Sequence, residues 1–121
     1  MQAGHRRILE GRYADAEPAY REALARKEAA LGPTNASTLS SLVSLADVLV
    51  LQGKLAEATV LLRRVIKART AALGSRHRET LAVAERLTRV LKAQADQATE
   101  KLAREQAAAK QEEVLTPRRR S

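Results

Sequence analysis

The residue types that most often carry out chemistry are scarce in this chain of 121 residues. It has no cysteine and only two histidines, His5 and His77, and neither has a carboxylate neighbour at metal-ligand spacing. The short motifs of phosphate loops, serine hydrolases and zinc proteases are absent from the sequence. His77 precedes a predicted helix, where a capping or packing role is more frequent than a catalytic one. The sequence therefore predicts a protein that is not an enzyme and that holds no metal or cofactor.

Basic side chains are a second candidate for function. Lysine and arginine total 22 against 14 acidic residues, which gives a net charge of +8, and residues 54–96 hold +6 of it. A basic patch within this segment consists of Arg63, Arg64, Lys67 and Arg69. Such a patch could contact nucleic acid or an anionic surface. The only aromatic residues, Tyr13 and Tyr20, leave little for base stacking, so nucleic acid is not the favoured partner.

Apolar residues do not form a run long enough to cross a membrane. The most apolar window, residues 39–51, has 13 residues and includes Asp47, whereas a membrane span needs about 20. Residues 1–11 contain no apolar stretch of the kind found in secretory signals. The lack of cysteine fits a reducing compartment. We therefore expect a cytoplasmic protein without a membrane span.

Four regularly spaced glycines mark the elements that position these side chains. Gly11, Gly32, Gly53 and Gly74 follow one another at intervals of 21 residues. Glycine often follows the last residue of a helix because it adopts the left-handed conformation without a Cβ clash. When residues 11–52 are aligned with residues 53–94, 14 of 42 positions are identical. The sequence therefore predicts a helical repeat of 42 residues with turns at these glycines.

Each repeat is predicted to contain two helices, because alanine, leucine and long charged residues dominate the composition. One helix begins near Thr38, with Asn35 and Ser37 as candidate caps, and carries leucines at helical spacing. Another covers about residues 56–73. Its counterpart one period earlier covers about residues 14–31.

Pro18 is predicted to lie in the first turn of that counterpart, where its missing N–H costs little. The scarcity of aromatic and β-branched residues argues against a sheet. The predicted fold class is therefore all-α.

The turns and small residues resemble those of a known family. The resemblance is carried by the runs GRYADAEP at 11–18, LGP at 31–33 and QGK at 52–54, with Thr38-Leu39, Leu45-Ala46 and Leu49. These residues are similar to tetratricopeptide repeats of the 42-residue kinesin-light-chain and nephrocystin-3 type, over about residues 1–95. The resemblance implies a tetratricopeptide-type α-solenoid of antiparallel helix pairs in a right-handed superhelix. The first helices of the pairs would line a concave surface.

The resemblance also implies where a partner would bind. The concave positions of the family fall on Ser40, Val43, Ser44, Asp47, Val50, Glu85, Arg86, Arg89 and Lys92. The family usually carries paired asparagines, which hydrogen-bond an extended peptide, where this chain has Val43-Ser44 and Glu85-Arg86. The row of Arg86, Arg89 and Lys92 favours an acidic peptide. The alternative is that this row is only a solvent-exposed helix face.

The repeat register predicts how the chain is divided. Residues 1–95 form the repeats, as a partial repeat followed by units 11–52 and 53–94. Ala95 stands where the next glycine is due, so we expect the last helix to continue through this position or to kink there. Residues 96–114 are then a capping or coiled-coil-like helix. Residues 115–121 are predicted to be a disordered basic tail.

Three functional hypotheses follow from these features. The first is a non-catalytic scaffold that binds a partner peptide or helix in the concave groove. The second is a basic module that binds nucleic acid or an anionic surface. The third is a fragment of a longer solenoid with a structural role. Such a fragment would be stable only when stacked on further repeats or self-associated, because about three repeats are usually needed for stability.

Overall fold

Four helices make up the part of the chain that the structure describes. The structure is a computed structural model that describes residues 2–115, with side chains described for residues 11–114. The helices are α1 (Gln2–Leu31), α2 (Ala36–Leu51), α3 (Leu55–Leu73) and α4 (Arg78–Leu115). No strand occurs within residues 2–115. The all-α fold class with a long last helix is therefore confirmed.

Three of the four predicted glycine turns are confirmed. Gly32, Gly53 and Gly74 have φ angles of 90°, 80° and 93°, in the left-handed region that glycine adopts without strain. Each lies in the short connection that follows a helix. The interval of 21 residues between these glycines therefore sets the lengths of α2 and α3.

The starts of α2 and α4 are capped at equivalent positions of the repeat. Asn35 Oδ1 accepts a hydrogen bond of 2.9 Å from the backbone N–H of Ser37. His77 Nδ1, one period later, accepts one of 3.1 Å from the backbone N–H of Glu79. Because these N–H groups have no partner within the helix, each cap stabilises its helix start. The capping role predicted for His77 is confirmed, and of the two candidate caps of α2 the residue used is Asn35.

The core lies between successive helices. α2 packs against α1 and α3, and α3 packs against α2 and α4; the short turns make neighbouring helices antiparallel. The largest buried apolar side chains are Leu42, Leu45 and Leu49 of α2, Leu62 and Val65 of α3, and Val83 of α4. Burial of one such side chain contributes about 1.5–3 kcal/mol. α2 and α3, which are each covered on two sides, are therefore the centre of the fold.

The predicted turn at Gly11 is wrong. α1 continues through this residue from Gln2 to Leu31, and Gly11 is not among the glycines with positive φ. Pro18 consequently lies well inside α1 instead of in its first turn. Its missing N–H leaves the carbonyl of Ala14 without the usual helical hydrogen bond.

The difference between Gly11 and Gly53 has a physical reason in the residues beside them. The turn at Gly53 is flanked by Leu49 and Leu55, which are both buried and draw α2 and α3 together. The position equivalent to Leu49 in the preceding repeat is Arg7. A charged arginine favours burial less than a leucine does, which agrees with the absence of a reversal at Gly11.

α4 also continues beyond the repeat. Ala95 lies within it, and every residue from 95 to 114 is exposed. Of the two alternatives predicted for Ala95, continuation is therefore the one observed. Leu102, within the predicted capping or coiled-coil-like helix, is exposed. Of the predicted basic tail, residues 116–121 lie outside the described part of the chain.

Candidate partner-binding face

A salt bridge joins α2 and α4 on one face of the helix stack. Arg86 Nη1 in α4 lies 2.6 Å from Asp47 Oδ1 and 2.8 Å from Asp47 Oδ2 in α2. The two residues are 39 positions apart, nearly one repeat. The bridge brings together one predicted groove residue from each helix. We call the predicted set the α2–α4 face; its members are Ser40, Val43, Ser44, Asp47, Val50, Glu85, Arg86, Arg89 and Lys92.

The α2 half of the α2–α4 face is mildly apolar. Val43 and Val50 are half-buried on either side of Asp47. They are two helical turns apart, about 10 Å along the axis. Ser40 and Ser44 are exposed, and the Ser44 hydroxyl donates to the Ser40 carbonyl at 3.2 Å. The hydroxyl proton of Ser44 is thus used within its own helix, and the two valines pack in part against the core.

The α4 half of the face is charged, and its charges differ in how far they are neutralised. Arg86 is paired with Asp47, whereas Arg89 Nη2 lies 4.0 Å from Glu85 Oε2 in an exposed pair. Lys92 has no hydrogen bond or ion pair to any other described residue. Of the predicted row of three cations, Arg86 is therefore neutralised by a neighbouring carboxylate. Lys92 and, in part, Arg89 remain available to an acidic group.

The predicted basic patch is divided in the same way. Arg64 Nη2 lies 2.7 Å from Glu28 Oε1 of α1, and Arg69 Nη1 donates to the Glu79 carbonyl at 3.5 Å. Arg63 and Lys67 are exposed and have no ionic partner among the described residues. Two of the four cations therefore hold helices together. The patch is less basic than the sequence alone indicates.

A cluster around Glu17 was not predicted from the sequence. Its carboxylate accepts hydrogen bonds from Arg21 Nε at 2.8 Å, Gln52 Nε2 at 2.9 Å and Lys54 Nζ at 3.0 Å. These donors, Arg21 first, lower the pKa of Glu17 from 4.5 to about 2. Since Gln52 and Lys54 flank Gly53, the cluster fastens the α2–α3 turn to α1.

The repeat contains a signal that could have indicated this cluster. Gln52 and Gln94 are identical residues one period apart. The hydroxyl of Thr59, the residue equivalent to Glu17, lies 2.7 Å from Gln94 Oε1. The same pair of positions is therefore bonded in both repeats, with a carboxylate in one and a hydroxyl in the other.

No group of three or more histidine, aspartate or glutamate side chains in the described part of the chain could hold a metal ion. No helix described by the structure is both long and apolar enough to pass through a bilayer.

Comparison with known proteins assigns the family. A search of curated proteins returned no match. The family model of the tetratricopeptide repeat matches residues 3–71, more than half of the chain. Members of this family generally mediate protein–protein interaction and are typically non-catalytic. With its paired helices, glycine turns and repeated bonds, the chain belongs to the tetratricopeptide repeat family.

Proposed function

We propose that the chain is a non-catalytic scaffold whose α2–α4 face holds an extended segment or helix of a protein partner. The observation that carries this proposal is the Arg86–Asp47 bridge, which joins α2, where Val43 and Val50 are half-buried, to α4, where Lys92 is exposed without an ion pair to any other described residue. A peptide with an apolar side chain and a nearby carboxylate would match both features. The absence of cysteine from the chain supports a reducing compartment such as the cytoplasm.

The recognition proposed here differs from peptide-backbone recognition by paired asparagines. Val43-Ser44 and Glu85-Arg86 stand at those positions. The Ser44 hydroxyl donates to its own helix and Arg86 is paired with Asp47. Because few side-chain donors are left for a peptide backbone, selectivity would come from the ligand's side chains. A kinesin-light-chain-like mode is therefore proposed for the location of the groove and not for its hydrogen bonds.

The second hypothesis, nucleic-acid or anionic-surface binding, is less well supported. Arg64 and Arg69 of the basic patch already bond to other helices. Only Arg63 and Lys67 are left without an ionic partner among the described residues. Phosphate-backbone binding usually recruits several cations and weakens steeply with salt.

The proposal is tested with an array of short peptides that vary independently in apolar and acidic content. The strongest peptide is then titrated by fluorescence polarisation. Arg89→Glu with Lys92→Glu should weaken its binding at least about tenfold, since a change of about 1.4 kcal/mol in binding free energy is tenfold in affinity. Lys101→Glu with Arg104→Glu, at exposed positions farther along α4, is the matched control and should bind as the wild type does.

Two results would contradict the proposal. One is equal binding by the Arg89 and Lys92 double variant and its control. The other is an array without preference, combined with salt-dependent binding of a short DNA duplex, which would favour the basic patch instead.

A further inference from the structure

We propose that copies of this chain stack head to tail, so that α4 of one copy packs against α1 of the next. The in-chain packing of α2 against α3 is the template for this contact. α2 is covered on both sides, whereas α4, its equivalent one period later, has extensive packing only with α3 among the described helices, besides its salt bridge to α2. α1 is likewise the equivalent of α3 but has extensive packing only with α2, besides its salt bridges to α3. Each end of the stack thus has one uncovered helix face.

The uncovered face of α4 is an apolar stripe whose equivalents in α2 are buried. Leu39 is 4% exposed and its equivalent Leu81 is 49% exposed; Leu49 is fully buried and Leu91 is 37% exposed. Ala46 is likewise buried, whereas its equivalent Thr88 is exposed. We call Leu81, Ala84, Thr88 and Leu91 the α4 stripe. The repeat itself indicates that a helix of the α3 type covers such a stripe.

The matching face of α1 is defined by the same comparison with α3. Leu62 is 2% exposed, while its equivalent Tyr20 is 42% exposed. Val65 is buried, while its equivalent Ala23 is exposed. We call Ala16, Ala19, Tyr20 and Ala23 the α1 stripe. Leu24 of α1, in contrast, packs against the core as its equivalent Ile66 of α3 does.

Charge complementarity identifies a second copy as the occupant of the α4 stripe. Within the chain, Arg21 Nη2 of α1 lies 3.4 Å from Glu57 Oε2 of α3. The residue equivalent to Arg21 in α3 is Arg63. If α1 of the next copy occupies the position of a following α3-type helix, the residue equivalent to Glu57 in that helix is Asp15 of the next copy. Stacking would therefore bring Arg63 beside Asp15 of the next copy.

Neither member of this proposed pair is satisfied within one chain. Arg63 and Asp15 are both exposed and have no ion pair to any described residue. A single sequence thus supplies an apolar stripe, its counterpart and an oppositely charged pair in one register. Because the two surfaces differ, the contact is heterologous and can continue from copy to copy. Arg86, which pairs with Asp47, lies outside the α4 stripe, whereas Glu85 and Arg89 line the same concavity as Leu81, Ala84 and Thr88. The stacking contact would therefore border the proposed peptide site.

The test uses two variants that each block one surface. Leu81→Glu with Leu91→Glu blocks the α4 stripe. Ala19→Glu with Ala23→Glu blocks the α1 stripe with residues that favour a helix. Ala25→Glu with Ala29→Glu, at exposed positions outside the α1 stripe, is the control with the same charge change. Circular dichroism first establishes that all proteins have the helicity of the wild type.

Sedimentation velocity and equilibrium then give the expected result. The wild type and the control associate as concentration rises from micromolar to millimolar, and each blocked variant remains a monomer of about 13.2 kDa. An equimolar mixture of the two blocked variants forms a heterodimer, because each retains the surface that the other has lost. Asp15→Arg or Arg63→Asp alone weakens wild-type association, and the two substitutions in one chain restore it.

Three outcomes would overturn the proposal. The first is a wild type that stays monomeric up to millimolar concentration, as expected if a different protein or further repeats of a longer chain cover the stripe. The second is continued self-association of either blocked variant, which indicates a symmetric interface. The third is a mixture of blocked variants that stays monomeric although the wild type associates.

Discussion

Arg86 of α4 bridges both carboxylate oxygens of Asp47 in α2, at 2.6 and 2.8 Å, across the face where a partner is proposed to bind. The two side chains are about half exposed. The bridge neutralises one of the three cations that the sequence places in a row on α4. It also joins α2 to α4 directly, so in the proposed function ligand recognition would fall to the other residues of the α2–α4 face.

The bridge can be measured by a double-mutant cycle. Arg86→Asp should destabilise the protein, because it places a second carboxylate beside Asp47. Asp47→Arg should do the same by pairing two cations. The combined exchange should recover stability, with a coupling energy of about 0.5 kcal/mol, typical of an exposed pair. Urea unfolding of the four proteins gives this energy, and strictly additive effects would contradict the bridge.

Gly11 and Gly53 are equivalent in the repeat but differ in the structure. Their substitution by alanine should therefore have opposite effects on stability. Gly11 lies in a helix with open space around its Cβ position, so Gly11→Ala should stabilise the protein by about 0.5–1 kcal/mol. Gly53 has a φ of 80°, so Gly53→Ala should cost about 1–2 kcal/mol. Thermal unfolding compares the two variants. Destabilisation by Gly11→Ala would instead support a turn at that residue.

The hydroxyl groups of two equivalent threonines should contribute differently to stability. Thr38 Oγ1 donates to the Gly32 carbonyl at 2.9 Å, whereas Thr80 Oγ1 is buried with no hydrogen-bond partner among the described residues. Valine has nearly the same shape as threonine. Thr38→Val should therefore cost about 1 kcal/mol, and Thr80→Val should be neutral or stabilising. Chemical unfolding measures both, and equal costs would show that Thr80 is bonded in solution.

The low pKa of Glu17 makes stability depend on pH. The folded pKa of about 2 lies below the usual 4.5, so the stabilisation is complete above pH 4.5 and is lost as the pH falls towards 2. Glu17→Gln should cost about 1 kcal/mol at neutral pH, as expected of a partly exposed network. This difference should shrink below pH 4.5. Glu105→Gln, at an exposed position of α4, is the control.

Melting temperatures of the wild type, Glu17→Gln and Glu105→Gln, measured from pH 7 to pH 2, test this dependence of stability on pH. A difference in melting temperature between the wild type and Glu17→Gln that stays constant with pH would show that the carboxylate charge of Glu17 contributes nothing to stability.

Much of the fold could be predicted because it depends on local residue chemistry. Glycine is needed wherever the backbone must be left-handed, and the turns at Gly32, Gly53 and Gly74 followed from that requirement alone. The spacing of the glycines alone does not identify a turn at Gly11, because a turn also needs apolar neighbours that pack the two helices together. The position of Pro18 in its helix depends on that turn and so is not predicted by the spacing either.

The electrostatics of the candidate site could not be predicted in the same way. The bond between Gln52 and Glu17 joins residues 35 positions apart, and that between Arg86 and Asp47 joins residues 39 apart. Such pairs depend on how far each helix is rotated about its axis when it packs on the next. The sequence indicates which residues share a helix face but not which cations that face will neutralise. The groove residues themselves remain a prediction.

A map of the ligand contact on the protein tests most directly whether a peptide binds at the α2–α4 face. The peptide selected on the array is added to uniformly ¹⁵N-labelled protein, and amide chemical shifts are followed during the titration. We expect the largest shifts in the backbone amides of Val43, Val50, Arg89 and Lys92, with small changes at Arg63 and Lys67. The largest shifts at Arg63 and Lys67, with the α2–α4 face unaffected, would contradict the account.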